Sequence, residues 1–178
     1  MLANKLKSLN YSVLATREPT DTVIGKLARS SEQSYTDKTL ACLFAADRHQ
    51  HCKILREKLA DGYIVLCDRY IISGLVLQNM DGVDFNYVMA LNEGFIPPDL
   101  QIVLYADSKV IEKRLKDRVA TRLARQERIE NYDRYRQHKA ELEKHVGRIT
   151  YMPSNSISDA ESIANYILQQ LKCREDIK

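Results

Sequence analysis

Apolar positions along this chain switch repeatedly between two spacings. Leu2, Leu6 and Leu9 recur at near-helical intervals, so the chain opens within a helix that ends near Asn10, a residue that tolerates a left-handed turn. Tyr11 to Thr16 reads as a short strand. Asp21 or Thr22 can cap a helix through about Arg29, and Thr36 or Asp37 a longer one over Lys38 to Ala60, closed by Gly62. Tyr63 to Cys67 is an uninterrupted apolar run, the pattern of a strand buried on both faces of a parallel sheet. Helical segments follow at about 70–80 and 85–93, then the breaker Phe95-Ile-Pro-Pro-Asp99. Leu100 to Tyr105 is a third strand and Ser108 to about Asp117 a helix. A basic stretch from Arg118 to Arg128 precedes a polar helix reaching His145. Arg148 to Met152 is a fourth strand, and Ser158-Asp-Ala-Glu161 forms a capping box for a last helix to about Leu171.

Strands alternating with helices predict a three-layer α/β fold with a parallel sheet and right-handed crossovers. The 178 residues form a single domain, long enough to bury its own core. Neither a secretory leader nor a run of about 20 apolar residues is present, so the chain reads as soluble and cytoplasmic, with no membrane partner. Cys42, Cys52, Cys67 and Cys173 stand singly and are expected to be buried, reduced thiols. His49 and His51 are two apart on a helix and do not face each other, which argues against a metal pair.

Charge is concentrated in one segment. Residues 109–148 carry 13 Lys and Arg against 7 Asp and Glu, a balance of +6, and the rest of the chain carries 14 against 17, a balance of −3. Such a segment is either a solvated helical face with internal ion pairs or a binder of phosphate. No aromatic interrupts Arg114, Arg118, Arg122, Arg125 and Arg128, the first being Tyr132, whereas single-strand binders interleave aromatics for stacking. A flap that brings arginines onto a phosphate fits better than a nucleic acid partner.

In sheets of this kind ligands bind beyond the carboxyl ends of the strands. After the first strand stands Arg17-Glu-Pro-Thr-Asp21, a donor fork for phosphate or a surface salt bridge. After the second stands Asp68-Arg69-Tyr70, an acid beside a cationic anchor, suited to Mg²⁺-phosphate chemistry or to a neutralised structural pair. Phe44 and Arg48 share a helical face that could stack a planar base and hydrogen-bond its edge, or simply join a core.

Taken in series, Thr16-Arg-Glu-Pro19, Leu43-Phe-Ala-Ala-Asp-Arg48, Asp68-Arg-Tyr70 with Ser73, Pro97-Pro-Asp-Leu100, Lys113 to Arg118 and Glu127-Arg-Ile-Glu130 resemble the thymidylate kinase family, in order and spacing, over about residues 2–171. The resemblance implies a P-loop kinase fold that transfers a phosphoryl group from ATP to dTMP with Mg²⁺, acting as a homodimer. By position, Arg17 and Arg69 would hold the dTMP phosphate, Phe44 would stack on thymine, Arg48 and Ser73 would read its edge, and Gln78 would lie near the base. Asp68 would orient Mg²⁺ or its waters near the attacking phosphate. Residues 118–130 would be the lid over ATP, reached also by Arg114, with Arg122 and Arg125 facing the transition-state charge.

Three departures qualify the match, one of them the stretch Asn131-Tyr-Asp-Arg-Tyr-Arg136 after Glu130, which follows the family pattern only loosely. The family opens with a strand and a G-x-x-x-x-G-K-[ST] loop, yet no glycine precedes Gly25 and no such loop occurs in the 178 residues. The expectation is therefore a shortened kinase with impaired turnover, or a relative that binds nucleotide without catalysis. Leu77 stands where the family usually places an aromatic residue beside the sugar.

Overall fold

The computed structural model describes residues 2–32, 34–35, 37–115 and 129–175. In chain order the elements are α1 (Leu2–Ser8), β1 (Val13–Arg17), α2 (Val23–Ser31), α3 (Asp37–Ala60), β2 (Ile64–Asp68), α4 (Ile71–Met80), α5 (Phe85–Leu91), β3 (Gln101–Tyr105), α6 (Ser108–Leu115), α7 (Ile129–Gln137), α8 (Lys139–Val146), β4 (Ile149–Pro153) and α9 (Ile157–Glu175). The alternation expected from the sequence is present, with each strand displaced by a residue or two.

Local chemistry explains most boundaries. Asn10 ends α1 at φ 66° and Gly62 follows α3 at φ 78°, both in the left-handed region expected of them. Thr22 is the cap of α2, its side chain accepting from the Gly25 amide at 3.1 Å. For α9 the capping box differs from expectation. Ser156 Oγ accepts from the Asp159 amide at 3.1 Å, and the Asp159 carboxylate accepts from the Asn155 and Ser156 amides at 2.8 and 3.0 Å, so the helix starts one residue before Ser158. These amides hold the Asp159 carboxyl below the usual carboxylate range. Replacing Ser156 by alanine is expected to cost about 1 kcal/mol, readable from a urea unfolding midpoint. The polar helix before β4 is two helices, broken around His138.

All strand pairing among the described residues is parallel, but it forms two pairs rather than one sheet. β1 lies on β2 in the register Val13↔Ile64 to Arg17↔Asp68, and β3 on β4 from Gln101↔Ile149 to Tyr105↔Pro153. Consistent with a single paired edge, β2 is half-buried along Ile64 to Cys67, where its apolar run predicts full burial. The main core lies between α3, α4, α5, α8 and the β3–β4 pair, centred on the fully buried Ile71, Leu75 and Leu142. All four cysteines are free. Cys52 is buried and Cys67 half-buried as reduced thiols, whereas Cys42 and Cys173 are exposed, because they fall on the outward faces of α3 and α9.

Candidate active site

Parallel pairing brings the two strand-end motifs together. Arg17 and Asp68 are register partners at the carboxyl ends of β1 and β2, and the Glu18 amide donates to the Asp68 carbonyl at 3.1 Å. Asp68 is exposed at this lip. Arg69 follows with φ 63°, a left-handed conformation that is uncommon for a residue other than glycine and that turns the chain sharply into α4. The Cys67 thiol donates to the Arg69 carbonyl at 3.0 Å, and its burial pushes the thiol pKa up to about 12, so it stays protonated as a donor.

The loop after β1 is held from α3. Asp47 is 1% exposed and accepts from the Thr20 amide at 2.8 Å, the Thr20 hydroxyl at 2.5 Å and the Thr22 hydroxyl at 3.2 Å. The next residue, Arg48, donates through Nε and Nη2 to Glu18 Oε2 at 2.8 and 2.7 Å, and through Nη1 to Asn92 Oδ1 at 2.7 Å. His51 Nδ1 meets Glu18 Oε1 at 2.9 Å and His51 Nε2 meets Thr16 Oγ1 at 2.9 Å. The guanidinium of Arg48 also lies over the Tyr70 ring, 5.4 Å from its centroid. Burial and the neighbouring Cys52 raise the Tyr70 phenol well above its ordinary value.

Of these groups Glu18, Arg48 and Tyr70 wall a cleft, open to solvent, between the loop after β1 and the facing sides of α3 and α4. Phe44, Arg48, Arg69, Ser73 and Gln78, which the sequence nominates separately, all line it. So does Leu77. Gln78 is 3% exposed, and its Oε1 has no hydrogen-bond partner among the described residues. Gly74 leaves room over the arginine fork: a Cβ there would lie 3.3 and 3.4 Å from Arg48 Nη2 and Nη1. Tyr135 of α7 hydrogen-bonds Ser73. Burial raises its phenol pKa, while this bond and the Arg69 charge act in the opposite direction.

Other nominated residues are placed elsewhere. Arg17 sits at the rim, 58% exposed, with Nη2 bonded to both Asp21 oxygens at 3.1 and 3.3 Å. Arg17 and then Arg29 hold the Asp21 carboxyl below the usual carboxylate range. Arg114 is exposed on α6 and does not line the cleft. Arg118, Arg122, Arg125 and Arg128 lie outside the described residues. For Mg²⁺, Asp68 is a hard oxygen donor of the right kind, but no group of three candidate ligands occurs among the described residues, so substrate phosphates and water would complete the shell. His49 bonds the Leu91 carbonyl and His51 bonds Glu18, which separates the two rings as their spacing requires.

Sequence reasoning passed over Glu18, Asp47, His51 and Asn92 as site residues. A signal existed for two of them: Asp47 and His51, with the nominated Arg48, place charge and polarity on a stripe of α3 that also carries the apolar Leu40, Phe44 and Leu55. Polar groups on an apolar stripe must be paired when buried.

The family model described as thymidylate kinase matches residues 1–163. The chain is 36% identical over 116 residues to a probable thymidylate kinase of Methanocaldococcus jannaschii, a match covering 64% of this chain and 61% of the relative. It is 41% identical over 120 residues to a thymidylate kinase of Caldicellulosiruptor saccharolyticus, covering 62% and 58%. The chain thus matches about three fifths of the length of these curated relatives. Among solved structures, the thymidylate kinase of Candida albicans superposes with TM-score 0.72 at 21% identity, covering 99% of this chain and 87% of that one, which supports the P-loop kinase fold. With the motifs assembled around one cleft and the family model spanning most of the sequence, the chain belongs to the thymidylate kinase family.

Proposed function

We propose that the cleft binds dTMP and presents its phosphate for phosphoryl transfer from ATP, giving dTDP and ADP. The observation that carries this reading is the donor–acceptor pattern of the cleft. Arg48 has one N–H on each Nη beyond those bonded to Glu18 and Asn92, and Gln78 Oε1 is a buried acceptor with no partner among the described residues. Thymine offers a carbonyl oxygen at C4 and an N–H at position 3, the complement of this pair. Cytosine offers the reverse, an amino group and a bare ring nitrogen, and would leave both protein groups unpaired.

Phe44, on the same face of α3 as Arg48, supplies a ring for stacking. Arg69 at the cleft and Arg17 at the rim are the phosphate anchors; Arg17 must exchange Asp21 for the phosphate. Asp68 would orient Mg²⁺ or its waters near the phosphate, and the metal when bound would offset the charge between the phosphates. The protein's task is then positioning and positive charge rather than covalent chemistry. The lid role of Arg114, Arg118, Arg122, Arg125 and Arg128 belongs to the same proposal. So does a homodimer built along α3, whose Cys42, Ala46, His49 and Lys53 form an exposed stripe. Among the described residues no helix is long and apolar enough to cross a membrane.

Calorimetry with dTMP and dCMP tests the reading. The expected result is a clear preference for dTMP, and an about tenfold loss of dTMP affinity in Phe44→Ala, the scale of one stacked base. Equal affinity for the two nucleotides would overturn it.

A further inference from the structure

We infer that His51, which touches no ligand position itself, is a positioning residue that aims Arg48 into the cleft through Glu18; the inference rests on the dTMP reading above. Glu18 is 4% exposed and divides its carboxylate between two partners on α3. Oε2 takes both N–H bonds from Arg48, at 2.8 and 2.7 Å, and Oε1 takes the His51 ring at 2.9 Å. An ionised carboxylate only accepts, so Nδ1 carries the proton. In the neutral ring Nε2 is then an acceptor and takes the Thr16 hydroxyl, 2.9 Å away on β1.

The result is one continuous chain of hydrogen bonds. It runs from Thr16 through His51, Glu18 and Arg48 to Asn92, whose own Nδ2 donates to the Val88 carbonyl at 2.7 Å. Both ends are tied to backbone elements, β1 and the end of α5. Glu18 has no freedom to rotate while its two oxygens are held from opposite sides, and Arg48 has none while Glu18 and Asn92 grip it. The two remaining N–H bonds are thereby pointed at the space that Gly74 leaves open. Releasing His51 frees one carboxylate oxygen, and the fork loses its fixed direction without losing its charge.

Two substitutions separate the roles of the two ring nitrogens. His51→Asn can place an amide N–H near the Nδ1 position and keep the bond to Glu18, whereas His51→Gln reaches toward Thr16 and abandons Glu18. Calorimetry on the full chain with dTMP, dCMP and 2-deoxyribose 5-phosphate, which has no base, is the test. For His51→Gln the expected result is about a tenfold loss of dTMP affinity, the scale of a hydrogen bond to a charged group, with dCMP and the sugar phosphate unchanged. His51→Asn is expected to stay close to wild type. An unchanged dTMP affinity in His51→Gln, or an equal loss for all three ligands, would overturn the inference. A wild-type protein that fails to prefer dTMP sinks the reading of the site instead. In that event the Arg48 Nε–H resonance in ¹⁵N NMR still tests His51 without ligand. Sharp and slowly exchanging in wild type and His51→Asn, broadened in His51→Gln, is the expected pattern, and identical spectra would overturn the inference.

Discussion

Arg48→Met is expected to destabilise the protein by about 3–5 kcal/mol and to abolish discrimination between dTMP and dCMP. The size follows from what remains behind. Arg48 is 3% exposed and supplies three hydrogen bonds of 2.7–2.8 Å, two to Glu18 and one to Asn92. Methionine fills the volume but leaves the Glu18 carboxylate at 4% exposure with His51 as its remaining side-chain partner, and Asn92 Oδ1 loses its donor. An uncompensated buried charge costs more than the pair gains, so most of the loss is a penalty for the surviving partner. A double variant, Arg48→Met with Glu18→Gln, is therefore expected to recover part of the stability and none of the discrimination. Urea unfolding of the three proteins measures the first, and calorimetry the second. A loss below about 1 kcal/mol in the single variant would mean that water reaches Glu18 and that the pair behaves as a surface ion pair.

Gly25→Ala is expected to lose about 3 kcal/mol, although alanine is the better helix former by about 1 kcal/mol. A Cβ at this position would meet the Thr20 carbonyl oxygen at 2.2 Å, the Thr20 nitrogen at 2.6 Å and Asp47 Oδ1 at 2.7 Å. Two of these are backbone atoms in a loop that Asp47 already holds by its amide and hydroxyl, so no flexible side chain can move aside. The melting temperature should fall by roughly 6–12 °C for a chain of this size. Gly62→Ala is the useful control. No atom lies within 4 Å of a Cβ there, and the cost is confined to the left-handed backbone at φ 78°, about 1 kcal/mol. Equal effects in the two variants would show that α2 can shift away from the loop. Because Thr20 lies between Glu18 and Asp21, Gly25→Ala should also weaken dTMP binding beyond what its stability loss explains.

Much of this was legible before any coordinates. Helix and strand periods, the caps at Thr22 and Asn10 and the breaker at Pro97-Pro98 are local properties, dictated within a few residues by backbone sterics and side-chain reach. Phe44 and Arg48 could be paired from helical geometry alone, and Asp68-Arg69 could be set at a strand end from the apolar run that precedes it. The capping box of α9 was misplaced by two residues because Ser156 and Ser158 both satisfy the pattern, and the backbone entering the helix selects between them.

The functions of Glu18, Asp47 and His51 were not legible in this way, for a reason tied to sequence separation. Glu18 lies 30 residues from Arg48 and 33 from His51, and Asp47 lies 27 from Thr20. Nothing local states whether a carboxylate will be solvated or buried, or which cation will meet it. That depends on β1 pairing with β2 and on α3 packing against the loop that follows β1. The sequence alone identified residue types, the periodic elements and a family resemblance carried by ordered motifs. Packing then placed Arg48 and Glu18 out of water, where charges must be matched, and so converted five separated nominations into one cleft with a held donor and an acceptor unpaired among the described residues.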